Sequence, residues 1–180
     1  MFSMRPAVAA DEAAITDVIQ RRAEWMRATG LPAWEGWHSQ AESLAEQASN
    51  PHFPVWAMID HSENQRVMGV TSVYDKASPL LWPDDPDPSL FLATTVTDPD
   101  YRRQQPGRLI AWWTLDYAAQ HDYVWVRRGT GPYPRLVAYY RDVQGWTVSA
   151  TVKHQGVTAY GLQRAAEPQP DLPRLGMQPA

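Results

Sequence analysis

The stretch Leu90–Gln120, LFLATTVTDPDYRRQQPGRLIAWWTLDYAAQ, decides the architecture of this chain. Phe91 to Thr97 is apolar and β-branched, which suits a buried strand, and Asp98-Pro99-Asp100 stops it. A charged segment follows, Tyr101-Arg102-Arg103-Gln104-Gln105-Pro106-Gly107-Arg108, and a helical pattern begins at Leu109. From there Leu109, Trp112, Trp113 and Tyr117 recur at helical spacing along one face. A loop entering a helix in this way aims unpaired backbone amides at one point, where the helix dipole also favours negative charge. The three arginines beside it, Arg102, Arg103 and Arg108, make an anionic ligand, most simply a phosphate, the first reading. A solvated basic turn is the equal alternative for the arginines alone.

On the N-terminal side, Ser3 to Val8 reads as a first strand. An amphipathic helix then starts at or just before Asp11, carried by Ile15, Val18, Ile19, Ala23, Trp25 and Met26 and ended by Gly30. Leu31 to His38 reads as a loop, too rich in Pro and Gly for a helix. Ser39 with Glu42 three residues on forms a capping-box pattern that opens a second helix to about Ala48. Pro54–Asp60 and Arg66–Tyr74 are strands joined by the polar turn Ser62–Gln65. Asp75 to Ser89, with four prolines and four acidic residues, is longer than loops usually are without a function.

On the C-terminal side, Tyr123–Arg127 is a short strand broken by Gly129-Thr130-Gly131-Pro132. Pro134–Val143 is a short helix ended by Gly145, with Pro134 suited to a first turn. Trp146–Lys153 and Val157–Gln163 make a hairpin around His154-Gln155-Gly156. The predicted order is β-α-α-β-β-β-α-β-α-β-β. That is an α/β (mixed α+β) fold: a central mixed sheet of about seven strands with helices on both faces. Residues 1–164 form one domain, and the proline-containing tail 165–180 reads as a loose extension.

Composition narrows the function. At 180 residues the chain is long enough for one domain with a proper core. With no cysteine, thiolate metal sites, disulfides and cysteine nucleophiles are excluded. His38, His52, His61, His121 and His154 lack metal-ligand spacing, so no metal is expected. Neither a membrane span nor a secretory leader is legible, and a cytoplasmic protein is expected. The net charge of −4 hides an asymmetry: residues 1–100 carry 6 basic and 15 acidic side chains, residues 101–164 carry 9 and 3. Such a split points to a basic surface for a phosphorylated ligand and an acidic one for a cation or amine. A general nucleic-acid binder would be basic overall.

This order of elements, and the residues within it, resemble the GNAT superfamily of acyl-CoA-dependent N-acyltransferases, of the small-molecule, actinobacterial type, over Met4 to Gln163. The family's pyrophosphate loop reads Arg/Gln-x-x-Gly-x-Gly/Ala; Arg102 and Gly107 fall on its first and last places, and Gln105 takes the place of the middle glycine. Tyr140-Arg141-Asp142-Val143-Gln144-Gly145-Trp146 looks like the family's helix-ending Tyr-x-x-x-Gly-aromatic signature, one residue longer. Met4-Arg5-Pro6-Ala7 and Asp11 resemble the family's start. Residues 93–97 carry no carboxylate, although many members hold a glutamate there as a base, and Tyr133 stands where many keep an asparagine.

The resemblance implies acetyl-CoA, or another acyl-CoA, as donor, with an amine of a small molecule as acceptor. It puts the diphosphate on Arg102, Arg103, Gln104, Gln105, Gly107 and Arg108, and the amide that bonds the acyl oxygen at Val96 or Thr97. It makes Tyr140 the general acid, a phenol protonated at neutral pH that donates to the departing thiolate. Tyr139, one residue away, exchanges that role if the helix register slips. For the base, Glu35, His38 and water remain, with water preferred. Trp34 and Trp37 lie where the family covers its acceptor and would bind the substrate, with plain packing the equal alternative. Trp112 and Trp113 read as core. Two other functions stay open: the same fold with an aminoacyl-tRNA donor, the one route to a nucleic-acid partner, and a non-catalytic ligand-binding domain. No membrane partner is expected, and a homodimer is left open.

Overall fold

In a computed structural model describing residues 1–84, 87–154 and 156–178, twelve main elements follow one another. They are β1 (Phe2–Pro6), α1 (Glu12–Ala28), α2 (Trp34–Ser39), α3 (Ala41–Ala45), β2 (Val55–Asp60) and β3 (Arg66–Tyr74). Then come β4 (Ser89–Thr97), α4 (Pro106–Gln120), β5 (Trp125–Thr130), α5 (Pro134–Asp142), β6 (Thr147–His154) and β7 (Val157–Ala165). The strands form one seven-stranded sheet in the order β1-β2-β3-β4-β5-β7-β6, so β4 is the central strand. The sheet is mixed: β4 runs parallel to β5, while β1/β2, β2/β3, β5/β7 and β6/β7 are antiparallel. No helix among the described residues is long and apolar enough to cross a membrane.

The chain divides into two compact units. The first holds Met1–Ser72, Thr94–Ile110 and Asp171–Pro179; the second holds Val73–Ala93 and Ala111–Pro170. In the first, α1 buries Ile15, Val18, Ile19 and Ala23, an i, i+3, i+4 stripe. Most of that stripe meets Ala41 and Ala45 of α3, Ala57 and Ile59 of β2, Val67 and Val70 of β3, and Val96 of β4 in one apolar cluster. Burying a side chain of this size is worth about 1.5–3 kcal/mol. Trp25 lies off the stripe, half-buried beneath the Arg22 guanidinium at 4.5 Å.

Several expectations are corrected. Leu31–His38 is not all loop, because Trp34–Ser39 is helical. Ala33, at φ 66°, turns the chain after Pro32. One interior glycine, Gly36, costs a helix only about 1 kcal/mol, against which Trp37 packs onto the apolar cluster. Ser39 does not cap the next helix: its hydroxyl donates back to the Gly36 carbonyl at 3.2 Å, and Gln40 holds the N-cap position of α3 without a side-chain bond. Helix α4 begins at Pro106 rather than Leu109, proline being favoured at a first helical position. Its burial is also wider than one face, since Ile110, Ala111, Thr114, Leu115 and Ala118 are all fully buried.

Strand β5 runs on through Gly129 and Thr130, paired with Gly161 and Tyr160 of β7. The reason is steric: a Cβ on Gly129 would stand 3.2 Å from Leu81, and one on Gly161 would stand 2.8 Å from Trp82. The two glycines therefore form the floor on which the segment between β3 and β4 is seated, with Leu81 buried and Trp82 edge-on to Phe91. The tail is likewise anchored. Leu172 and Met177 are buried, and Phe2 of β1 donates to the Gly176 carbonyl and accepts from the Gln178 N–H at 2.9 Å.

Candidate functional site

The segment between β4 and α4 is built on one carboxylate. Asp98, its side chain wholly buried, receives Arg66 at 2.8 Å and Arg21 at 3.0 Å and takes the Asp100 N–H at 3.0 Å. That last bond caps the short 3-10 turn Pro99–Tyr101. Tyr101 is buried under the Arg66 guanidinium, 5.2 Å from its ring, and donates its hydroxyl to Glu63 at 3.2 Å. Burial first, then Asp60 and Glu63, push its phenol up to about 12 against the pull of Arg66. Tyr101 therefore stays neutral and serves as a post.

From this base Arg102, Arg103, Gln104 and Gln105 project as four exposed residues ahead of buried Pro106. Gln105 adopts φ 54°, the left-handed region in which glycine is at ease. A glutamine thus stands here on a backbone of the kind glycine adopts. The Gln104 N–H donates to the Tyr101 carbonyl at 2.9 Å, Gln105 to Arg102 at 3.3 Å, and Arg108 to Gln105 at 2.9 Å. Of the four amides expected at a diphosphate, that of Gly107 has no acceptor among the described residues. A Cβ added to Gly107 would meet only the Thr97 methyl, at 4.0 Å. Nothing in the protein itself therefore requires glycine at this second helical position. Gly69 is the contrast, where a Cβ would crowd Ile110, Thr97 and the Val96 carbonyl, each at 3.2 Å.

Within β4, Thr94 lies at φ 49°, a left-handed residue inside a strand. Such a residue breaks the even alternation of the ladder and re-aims the groups that follow it. Three residues beyond it stands Thr97, with buried Val96 between Thr95 and Thr97. The sequence gives no sign of this kink, because threonine is an ordinary strand residue. On α2, Trp37 leans on the apolar cluster and Trp34 lies under the Arg27 guanidinium at 5.6 Å, while Glu35 and His38 are exposed. Arg5 and Asp11, from the opening motif, form a two-pronged ion pair at 2.7 and 2.8 Å, and Asp11 also takes the Val8 N–H at 2.9 Å.

In the second unit, α5 carries Tyr139 and Tyr140, both half-buried, with ring centroids 6.1 Å apart. Gly145, at φ 72°, closes the helix, and the Trp146 N–H bonds back to the Tyr140 carbonyl at 3.0 Å. The Arg128 guanidinium of β5 lies 3.9 Å from the centre of the Tyr140 ring and 5.4 Å from that of Trp146. The sequence reading ended this strand at Arg127 and missed Arg128. Two consecutive arginines in an otherwise apolar strand were the available signal.

No protein-family model matches the chain, and no curated protein sequence matches it. Solved structures do. It is similar to a GNAT-family acetyltransferase from Listeria monocytogenes at a TM-score of 0.69, with 16% identity over 91% of this chain and 94% of that one. A GNAT-family acetyltransferase from Streptococcus agalactiae gives 0.68, with 16% identity over 92% and 96%. The PaiA N-acetyltransferase from Thermoplasma acidophilum, in complex with coenzyme A, gives 0.65 at 11% identity over 92% and 99%. With a central β4 leading through a basic turn into α4, and this agreement over nine-tenths of its length, the chain has the fold of the GNAT acetyltransferases.

Proposed function

We propose that the protein is an N-acyltransferase that transfers an acetyl or other acyl group from coenzyme A to the amine of a small molecule, in the cytoplasm. The observation that carries this is the start of α4. There the Gly107 amide has no acceptor among the described residues, and the exposed residues Arg102 to Gln105 stand just ahead of it in the chain. In this reading the Gly107 amide and the turn at Gln104, Gln105 and Arg108 hold the coenzyme A diphosphate, and Arg102, Arg103 and Arg108 neutralise it. Coenzyme A supplies the thioester. The amide of Val96 or Thr97, beyond the kink at Thr94, donates to the acyl oxygen, and such a donor is typically worth about 3–4 kcal/mol in the transition state. Tyr140 protonates the departing sulfur, water takes the amine proton, and Trp34 and Trp37 border the acceptor.

The test joins binding to turnover. Calorimetry should show coenzyme A binding, weakened by Arg102→Ala and by Arg108→Ala and most strongly so at low salt. Tyr140→Phe keeps the ring and removes only the hydroxyl. It should lower kcat by about 10²–10⁴-fold with donor affinity unchanged, whereas Tyr139→Phe should be mild. Failure of coenzyme A to bind would turn the reading toward an aminoacyl-tRNA donor. Binding without turnover on a panel of amines would turn it toward a ligand-binding domain. Damage by Tyr139→Phe instead would move the acid by one residue.

A further inference from the structure

Strand β5 buries two guanidinium groups at consecutive positions, and strand alternation sends them to opposite faces. Arg127 has partners: it lies over the Trp82 ring at 5.1 Å and donates to the Ser89 hydroxyl at 3.4 Å. Arg128 differs. It is only 6% exposed, its Nε meets no acceptor, and among the described residues it makes no ion pair. Its neighbours are the Tyr140 and Trp146 rings, and the Trp146 N–H is already given to the Gln144 side chain at 3.1 Å. Burial pulls its affinity for the proton below the ordinary arginine value, against the Tyr140 and Tyr139 phenols, yet a guanidinium remains charged at any working pH.

Aromatic faces return only part of what a cation loses on leaving water, and a fold that needed mere bulk here would be served as well by an apolar residue. A guanidinium kept inside without an anion is instead prepared for one that arrives. Its chemistry can be narrowed. The local charge is a single one, because Arg127 faces the other way and Arg164 is committed to Glu167 and to the Gln144 carbonyl. A monoanion neutralises it, whereas a phosphate dianion would be left half-compensated. A carboxylate, flat and with two oxygens, also matches the fork of donors that a guanidinium presents. We infer that Arg128, walled by Tyr140 and Trp146, receives the carboxylate of the acceptor, so that the amines acylated are amino acids or other amines bearing a carboxylate. This rests on the N-acyltransferase reading for the word acceptor, and on the β5 geometry alone for the carboxylate.

Two arms test it. In the first, benzoate and its neutral isostere benzamide are titrated into the whole protein, followed by tryptophan fluorescence and melting temperature. Benzoate should bind the wild type and raise its melting temperature, benzamide should not, and Arg128→Met should abolish the difference. Arg128→Lys, which keeps the charge but not the fork, should be intermediate and serves if the methionine variant does not fold. In the second, kcat/KM with acetyl-CoA is compared for L-phenylalanine against 2-phenylethylamine, and for glycine against methylamine. Arg128→Met should lower the values for both carboxylated members by about tenfold or more beyond any change it causes for their plain-amine partners. Equal losses for both members of each pair, or benzoate and benzamide behaving alike, overturn the inference. Selective benzoate binding without turnover of any amine leaves the carboxylate site standing and removes the acyltransferase reading. Turnover without selectivity does the reverse.

Discussion

Asp98 and Arg128 are both buried charges, and the protein treats them in opposite ways. Asp98 is surrounded: two guanidinium groups and a backbone amide satisfy it, and one of those cations, Arg66, reaches on to Asp100 at 3.1 Å. Arg128 has rings for neighbours and, among the described residues, no anion. A buried charge with all its partners is an internal fastening, because removing it strands the partners. A buried charge set only against aromatic rings fastens less, and the inferred carboxylate would complete it. The start of α4 repeats the second pattern in the backbone, where the Gly107 amide has no acceptor among the described residues.

The largest expected effect is on stability, and it should split the two charges. Asp98→Ala leaves Arg21 and Arg66 facing a void and uncaps the turn before α4, so unfolding in urea should show a loss of about 3–5 kcal/mol. Arg128→Met, of similar bulk, should change stability by no more than about 1 kcal/mol in either direction, since lost ring contacts offset the relief of a desolvated cation. Equal losses at the two positions would erase the distinction.

The Arg5–Asp11 pair grades the comparison, because Arg5 keeps 37% of its side-chain surface in water. The Asp11 carboxyl is held below its ordinary value chiefly by the Arg5 hydrogen bonds, against the cost of burial, with the Val8 N–H and the Arg5 charge assisting. A depressed carboxylate contributes stability that is whole above the unfolded pKa, about 3.9, and is lost as pH falls through the folded value. Asp11→Asn should therefore flatten the dependence of the urea midpoint on pH below about 4 and lower the midpoint at neutral pH. An unchanged acid limb in that variant would show that other carboxylates carry it.

The smallest effect concerns Gly107. Alanine is favoured over glycine within a helix by about 0.5–1 kcal/mol, and at Gly107, the second residue of α4 with open space around it, a gain up to that size is expected. In the proposed reading the same methyl would crowd a diphosphate held at that amide, so coenzyme A affinity should fall while the melting temperature holds or rises. A variant that binds coenzyme A as the wild type does would move the diphosphate elsewhere.

Much of this fold was legible because periodicity and punctuation agreed. Arg66–Tyr74 is β3 without a residue's difference, and the succession of seven strands along the chain followed from the alternation of apolar runs and turn residues. What escaped was structure held by distant contacts. Gly129 reads locally as a breaker, yet it stays in β5 because Leu81, far away in sequence, needs its missing side chain. The tail has no period of its own and is ordered by Leu172, Met177 and the rim of β1. In the candidate site, the arginines and Gly107 of the turn before α4 are legible from the sequence as an expectation. The left-handed backbones of Thr94 and Gln105 are not, because neither residue type advertises that conformation. Arg128 was visible as a letter and silent as a fact, since only the structure shows it buried against two rings with no ion pair among the described residues.

The docking of the tail on Phe2 has a consequence for how this protein meets copies of itself. β1 and β6 are the two outer strands of the sheet, and an outer strand ordinarily offers a row of free N–H and C=O groups to any passing chain. On the β1 rim, Phe2 spends its N–H on Gly176 and its C=O on Gln178, beside the parallel bridge to Met177. A foreign strand seeking that rim must first evict residues 172–178, with two buried side chains, Leu172 and Met177, going out into water. The turn at residues 172–178 is thus a stitch at the Phe2 end of that rim, which a strand pairing there would have to undo.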